Sequence, residues 1–425
     1  MTYELMRDNE QFAQLDGAIS DFISRYKVNS VNPIVPRKTV ILFPGGMASR
    51  LRRARTAYAP NLASYFYDVR WLDKSIAFGA ALELQMANDI DLAQRIVIAD
   101  GPVDFGLYLP PVVIGYVPYQ GFIDWCDQQR IDWFIFGWDW RRRMEFTVDM
   151  FLNRFLPQFQ ARVQLECKAD PLADFSLVGH SFGGMVVKLI VNQAAHVFII
   201  QMQNAITVGS PFYGYAGHVH RYFEGDDSLI FYDRSSMARV VSSLQGGYTL
   251  LFLDEATYNI VQPHLLADTY PLYDYPSRDA GDNSIADPYN PIDLATKFRY
   301  PQKYGFQPLE LARGRGIYQQ VALNLDAAVA PKFYNIRGVQ SKAGAVLNGT
   351  IYTQTWRRIP KSYNPNTSAP AVVNDSVGPG DGVIPAWSAR LVSTPPANVR
   401  TLIGDFEHMN LMNEVQTHNE LLTIL

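Results

Sequence analysis

The chain has 425 residues, of which 48% are hydrophobic and 18% charged, with a formal net charge of −4. That apolar mass excludes global disorder, and the slight acidity leaves no electrostatic footprint for nucleic acid. Two cysteines, Cys126 and Cys167, exclude a disulfide framework and a thiolate metal site; they form one bridge at most, and a pair of buried or free thiols is preferred.

Glu4 and Asp8 stand where a signal peptide has a basic start and an apolar run. No secretory signal is therefore expected, and the predicted location is cytoplasmic. The longest apolar candidate, Val103 to Val117, is broken by Asp104, Gly106, Pro110 and Pro111. It falls short of the roughly 18 uninterrupted residues of a membrane span, so no transmembrane segment is expected and only transient contact with a membrane surface stays open.

Leu5 to Tyr26 carries Phe12, Leu15, Ile19, Phe22 and Ile23 at helical spacing and predicts an amphipathic helix in an N-terminal extension over 1–36. A linker with Pro33 and Pro36 leads to Thr39–Phe43, a continuous apolar run stopped by Pro44-Gly45-Gly46, the pattern of a buried parallel strand. The pattern recurs at Asp132–Phe136, Phe175–Val178, Ala205–Val208 and Val399–Ile403, each followed by glycine, and Lys332–Ile336 is a further candidate. Helical patterns such as Phe146–Val163 and Met185–Ala195 separate several of them. The alternation predicts an α/β core over 37–211 and 331–425: a mostly parallel sheet flanked by helices, with function at the carboxyl ends of the strands. From Phe212 to Ala330 the chain is rich in Tyr, Asp, Pro and Gly without that alternation, and is read as an inserted, mostly helical cap over 212–330. Pro365–Pro379 reads as a surface loop.

Gly179-His180-Ser181-Phe182-Gly183-Gly184 joins a predicted strand to a predicted helix and fits the G-x-S-x-G nucleophile elbow. So tight a turn leaves room only for small residues two positions either side of the serine, which Gly179 and Gly183 supply. The Phe182 N–H, at the helix start, is a candidate oxyanion donor.

A serine hydroxyl needs a base, and the chain offers seven histidines. His408 follows the last apolar run, where the order nucleophile, acid, histidine places the base. His180 points away from the nucleophile and reads as packing. His196, His218, His220, His264 and His418 lie at a helix end, in the cap or on the terminal helix. Asp381, in the turn Gly380-Asp381-Gly382, is the preferred acid, with Asp375 and Asp405 as rivals expected to be solvated. The second oxyanion donor is sought after the first strand, at Gly46, with Met47 in reserve.

These motifs, with Phe43-Pro44-Gly45-Gly46-Met47-Ala48-Ser49-Arg50-Leu51, Trp138-Asp139-Trp140-Arg141, Val208-Gly209-Ser210-Pro211, Gly246-Gly247-Tyr248-Thr249-Leu250-Leu251-Phe252, Gly380 to Pro385 and His408-Met409-Asn410, stand in one order along the chain. On them the chain resembles the lecithin:cholesterol acyltransferase-like α/β-hydrolases, which include phospholipid acyltransferases and lysosomal-type phospholipases A. The resemblance implies an α/β-hydrolase fold with a large cap, Ser181, Asp381 and His408 as a triad, and Gly46 and Phe182 at the oxyanion. It implies a serine esterase acting on lipid or other acyl esters, with no metal or cofactor. Trp138 replaces the family's tyrosine. The lid disulfides and signal peptides of secreted members are not evident, so membrane docking and a lipoprotein partner are not carried over.

The aromatic residues of the cap suit an acyl chain, although most are expected to form the cap's own core. Arg50, Arg52, Arg53 and Arg55, and Arg141-Arg142-Arg143, are candidates for a phosphate headgroup, with solvated faces the preferred reading; Asp139 and Arg141 are expected to brace the core as a pair. Two alternatives to hydrolysis stay open: transfer of the acyl group to an alcohol, and a non-catalytic binding protein that keeps the fold.

Overall fold

The computed structural model describes residues 12–24, 38–53, 69–71, 97–102, 105–109, 112–167, 175–194, 196–219, 240–298, 307–356 and 372–425. The linker at Pro33 and Pro36, Arg55, His220 and the Pro110-Pro111 pair lie outside these. Among the described residues six parallel strands form the central sheet: β1 (Thr39–Phe43), β2 (Asp132–Ile135), β3 (Phe175–His180), β4 (Met202–Val208), β5 (Phe333–Lys342) and β6 (Val399–Gly404). Their spatial order is β2-β1-β3-β4-β5-β6, and Ala345–Val346 folds back antiparallel on the end of β5. Each predicted apolar run is a strand, and the sixth candidate is the longest of them.

The central strand shows why the runs are continuous. Successive side chains of a strand point to opposite faces, so a strand covered on both sides is apolar at every position. In β1, Ile41 and Phe43 join one apolar cluster, and Val40 and Leu42 join the cluster on the other face. Helices cover both faces, among them Gln120–Gln129, Phe182–Gln193 and Val415–Ile424. This arrangement, a mostly parallel sheet flanked by helices with a strand-serine-helix turn at its centre, is an α/β-hydrolase fold.

Between 212 and 330 the described residues include the helices Glu255–Leu266, Pro291–Thr296 and Pro308–Ala322. Tyr248, Tyr275, Tyr289 and Tyr318 are buried there, in the same apolar cluster as Ile41 and Phe43. The aromatic richness of this segment therefore builds its own core and seats it on one face of the sheet. One strand of the segment, Ser277–Asp279, pairs with Thr350–Trp356, which pairs in turn with Val372–Gly378. The last of these lies where a surface loop was expected. Its partner Thr-Ile-Tyr-Thr-Gln-Thr-Trp, rich in β-branched and aromatic residues, supplies the ladder, a non-local pairing that Val372–Gly378 alone does not announce.

A buried ion cluster fastens this segment to the sheet. Asp268, just past the helix Glu255–Leu266, accepts hydrogen bonds from Arg337 on β5 and from Arg390. The Arg337 and Asp268 side chains are 4% and 1% exposed. Removing one partner of such a pair strands the other charge out of water. Asp268→Ala is expected to destabilise the fold by about 3 to 5 kcal/mol, read from urea unfolding, and a change under ~1 kcal/mol would show that the cluster carries no such role.

Candidate active site

The turn at Ser181 is built by backbone constraint. Ser181 sits at φ 53°, ψ −125°, a left-handed conformation costly for a residue with a side chain. Its N–H donates to Val208 O at 2.8 Å, and its carbonyl accepts from Gly184 N at 3.0 Å. A Cβ on Gly179 would lie 2.5 Å from Gly184 Cα, and one on Gly183 would lie 2.1 Å from Phe43 O. Both glycines are thus required by the close approach of strand, loop and helix, as the sequence reading expected.

The three residues predicted from separate motifs meet at the carboxyl ends of the strands. His408 Nε2 lies 2.8 Å from Ser181 Oγ, and His408 Nδ1 lies 2.7 Å from Asp381 Oδ2. With Nδ1–H donating to the carboxylate, Nε2 is left to accept the serine proton. Asp381 Oδ1 accepts from the N–H groups of Val383 (3.1 Å) and Ile384 (2.7 Å), which fixes the carboxylate in its turn and aims Oδ2 at the imidazole. The Asp381 carbonyl also accepts from His408 N–H at 2.9 Å. The rivals Asp375 and Asp405 are exposed.

The candidate oxyanion loop runs directly off β1. A Cβ on Gly45 would stand 3.1 Å from Ser181 Cβ, and one on Gly46 would stand 3.4 Å from the Phe182 ring. Pro44 O accepts from the Trp138 indole at 2.9 Å, and Gly45 N–H donates to Tyr119 Oη at 2.8 Å. Gly45 is thereby spoken for, while Gly46 N–H has no hydrogen bond among the described residues. Met47, at φ 65°, turns the loop. Phe182 N–H, at the first helical position, has no acceptor one turn back in its own helix. Gly46 and Phe182 therefore remain the candidate oxyanion donors.

The Trp138-Asp139-Trp140-Arg141 motif braces this loop. Trp138 stacks edge-on against Phe182 at 5.0 Å, and the N–H groups of Trp138 and the Trp140 indole bind Ser49. Arg141 holds Asp139 in a two-pronged pair at 2.8 Å and 2.8 Å, and both are buried. Arg143 is paired with Glu310, and Arg142 lies 3.4 Å over the Phe146 ring. Arg141 and Arg143 thus spend their charge on carboxylates of the chain rather than on a headgroup. The side chains of Arg52 and Arg53 lie outside the described residues.

Other residues take plain structural places. His418 stacks on Trp125 at 4.9 Å and binds Met412 O. Cys126 is a buried free thiol, pushed up by desolvation and then by Asp127; the side chain of Cys167 lies outside the described residues. Among the described residues no group of three or more His, Cys, Asp and Glu is arranged to hold a metal, and no helix is long and apolar enough to cross a membrane.

No protein-family model matches the chain. A 99-residue stretch is 28% identical to lecithin-cholesterol acyltransferase-like 4 of Arabidopsis thaliana, covering 23% of this chain and 17% of that protein. The chain is similar to the lecithin:cholesterol acyltransferase-like α/β-hydrolases. Among solved structures, a chain of the Tle4–Tli4 complex aligns with a TM-score of 0.49 and 12% identity, over 92% of this chain and 98% of that one. The mature Bacillus licheniformis lipase BlEst2 aligns with a TM-score of 0.35 and 10% identity, over 91% of each chain.

Three residues that matter to the site were not read from the sequence. Tyr119 has no motif of its own. Gln340, near the end of β5, binds Phe406 O through its side chain and Gly380 O through its N–H, tying the loop of His408 to the turn of Asp381. His180, read as packing, makes two polar contacts. Only its position inside the elbow signalled it, and that signal points first to the serine.

Proposed function

We propose that this chain is a serine esterase that cleaves acyl esters, lipid esters foremost, through an acyl-enzyme on Ser181. The observation that carries the reading is the unbroken hydrogen-bond line from Ser181 Oγ through His408 to Asp381, at 2.8 Å and 2.7 Å, on a serine held at φ 53°. In this reading His408 Nε2 takes the Ser181 proton as Oγ attacks the ester carbonyl. The oxyanion that forms is held by the N–H groups of Gly46 and Phe182. Collapse expels the alcohol, which leaves with the proton from His408. Water, deprotonated by the same nitrogen, then attacks the acyl carbonyl and frees the acid and Ser181. Asp381 keeps the imidazole in the required tautomer and stabilises the imidazolium.

The partial likeness to an acyltransferase-like protein supports a second reading, in which an alcohol takes the place of water in the last step. A p-nitrophenyl ester series of increasing acyl length, assayed with and without a long-chain alcohol, tests both. Release of p-nitrophenol with free acid supports the esterase; a new ester that grows at the expense of free acid supports transfer. A folded protein inert toward every ester overturns both.

A further inference from the structure

Behind the candidate nucleophile runs a line of buried polar groups that the proposed chemistry does not use. Gly45 N–H donates to Tyr119 Oη at 2.8 Å, and Tyr119 Oη lies 3.1 Å from His180 Nδ1. His180 Nε2 lies 3.1 Å from the backbone carbonyl of His408. A carbonyl only accepts, so His180 Nε2 carries the hydrogen; Nδ1 then accepts, and Tyr119 O–H is its donor. Every bond runs one way, from the oxyanion loop to the base loop. Tyr119 is 1% exposed and His180 is 1% exposed, so water offers neither a substitute. Burial, and then the neighbouring His408, hold the His180 imidazole neutral, pushed down to about 3.

We infer that Tyr119 and His180 are positioning residues: they couple the oxyanion loop to the loop carrying His408, so that the donors and the base are set in one frame. The inference rests on the reading of Ser181 as the nucleophile. His408 has its side chain set by Asp381 and Ser181, but its backbone is held by the Asp381 carbonyl on one side and by His180 on the other. The oxyanion loop is likewise held from two sides, by Trp138 at Pro44 O and by Tyr119 at Gly45 N–H. The link joins the two loops through the last residue of β3, immediately before the serine, and a histidine there offers one ring nitrogen to each loop.

Tyr119→Phe removes one oxygen and keeps the ring; His180→Gln cuts the line from the other end. The full chain is followed by hydrogen exchange over residues 44–48 and 405–412 and by ester kinetics. Faster exchange in both windows on Tyr119→Phe is expected, although the substitution touches only the first. With it, kcat falls at least about tenfold while KM stays within about twofold, since the groups set are those that act at the transition state. The double variant is no worse than the poorer single one, because both cut one line. Exchange raised at 44–48 alone, or two losses that multiply, overturns the inference. A wild type that is inert toward esters and toward a fluorophosphonate counts against the Ser181 reading instead, and the exchange windows still decide whether the two loops are linked.

Discussion

His408→Ala is expected to lower kcat on any ester the wild type cleaves by on the order of 10⁴-fold or more, with the fold intact. Among the described residues the imidazole is the one group within hydrogen-bond reach of both Ser181 Oγ and the Asp381 carboxylate, and without it the serine proton loses that acceptor. The backbone that His180 grips is unchanged by the substitution, so the loop keeps its anchors. Steady-state kinetics with a thermal melt alongside separates loss of chemistry from loss of structure. A loss under about tenfold with an unchanged melt would remove His408 from the reaction.

The second large effect falls on stability. Gly183→Ala is expected to cost about 3 kcal/mol or more and to remove activity with it, at the upper end of overpacking penalties. The new Cβ would stand 2.1 Å from Phe43 O and 2.5 Å from Pro44 O, both backbone atoms that move only with β1 and the loop after it. The same substitution at Gly316, in the helix Pro308–Ala322, meets nothing within 4 Å. There it should stabilise by roughly 0.5 to 1 kcal/mol, because alanine loses less backbone entropy than glycine in a helix. Chemical denaturation of the two variants tests the pair; equal shifts would mean that the elbow relaxes without strain.

What the sequence announced and what it concealed divide along physical lines. Strands buried on both faces write themselves as unbroken apolar runs, so the sheet was legible from Thr39–Phe43 onward. The candidate triad was legible because each member sits in a turn whose geometry dictates its neighbours: glycines two positions either side of Ser181, glycines flanking Asp381, a strand end before His408. The small mixed sheet was not, because Ser277–Asp279 finds its parallel partner more than 70 residues away in Thr350–Trp356, and no local pattern encodes that pairing. The pairing of Arg141 with Asp139 could be read from adjacency, whereas Arg143 looked solvated in sequence and is paired in space with Glu310, 167 residues away. Tyr119 was invisible for a simpler reason. A single hydroxyl that satisfies one amide and one imidazole leaves no periodicity behind.

The central claim is that Ser181 is an activated nucleophile. Intact-mass labelling with a fluorophosphonate tests it most directly, on the wild type and on Ser181→Ala. The account predicts one adduct on the wild type and none on the variant. Wild-type protein that is folded and unlabelled, or a variant that labels as fast as the wild type, would contradict it.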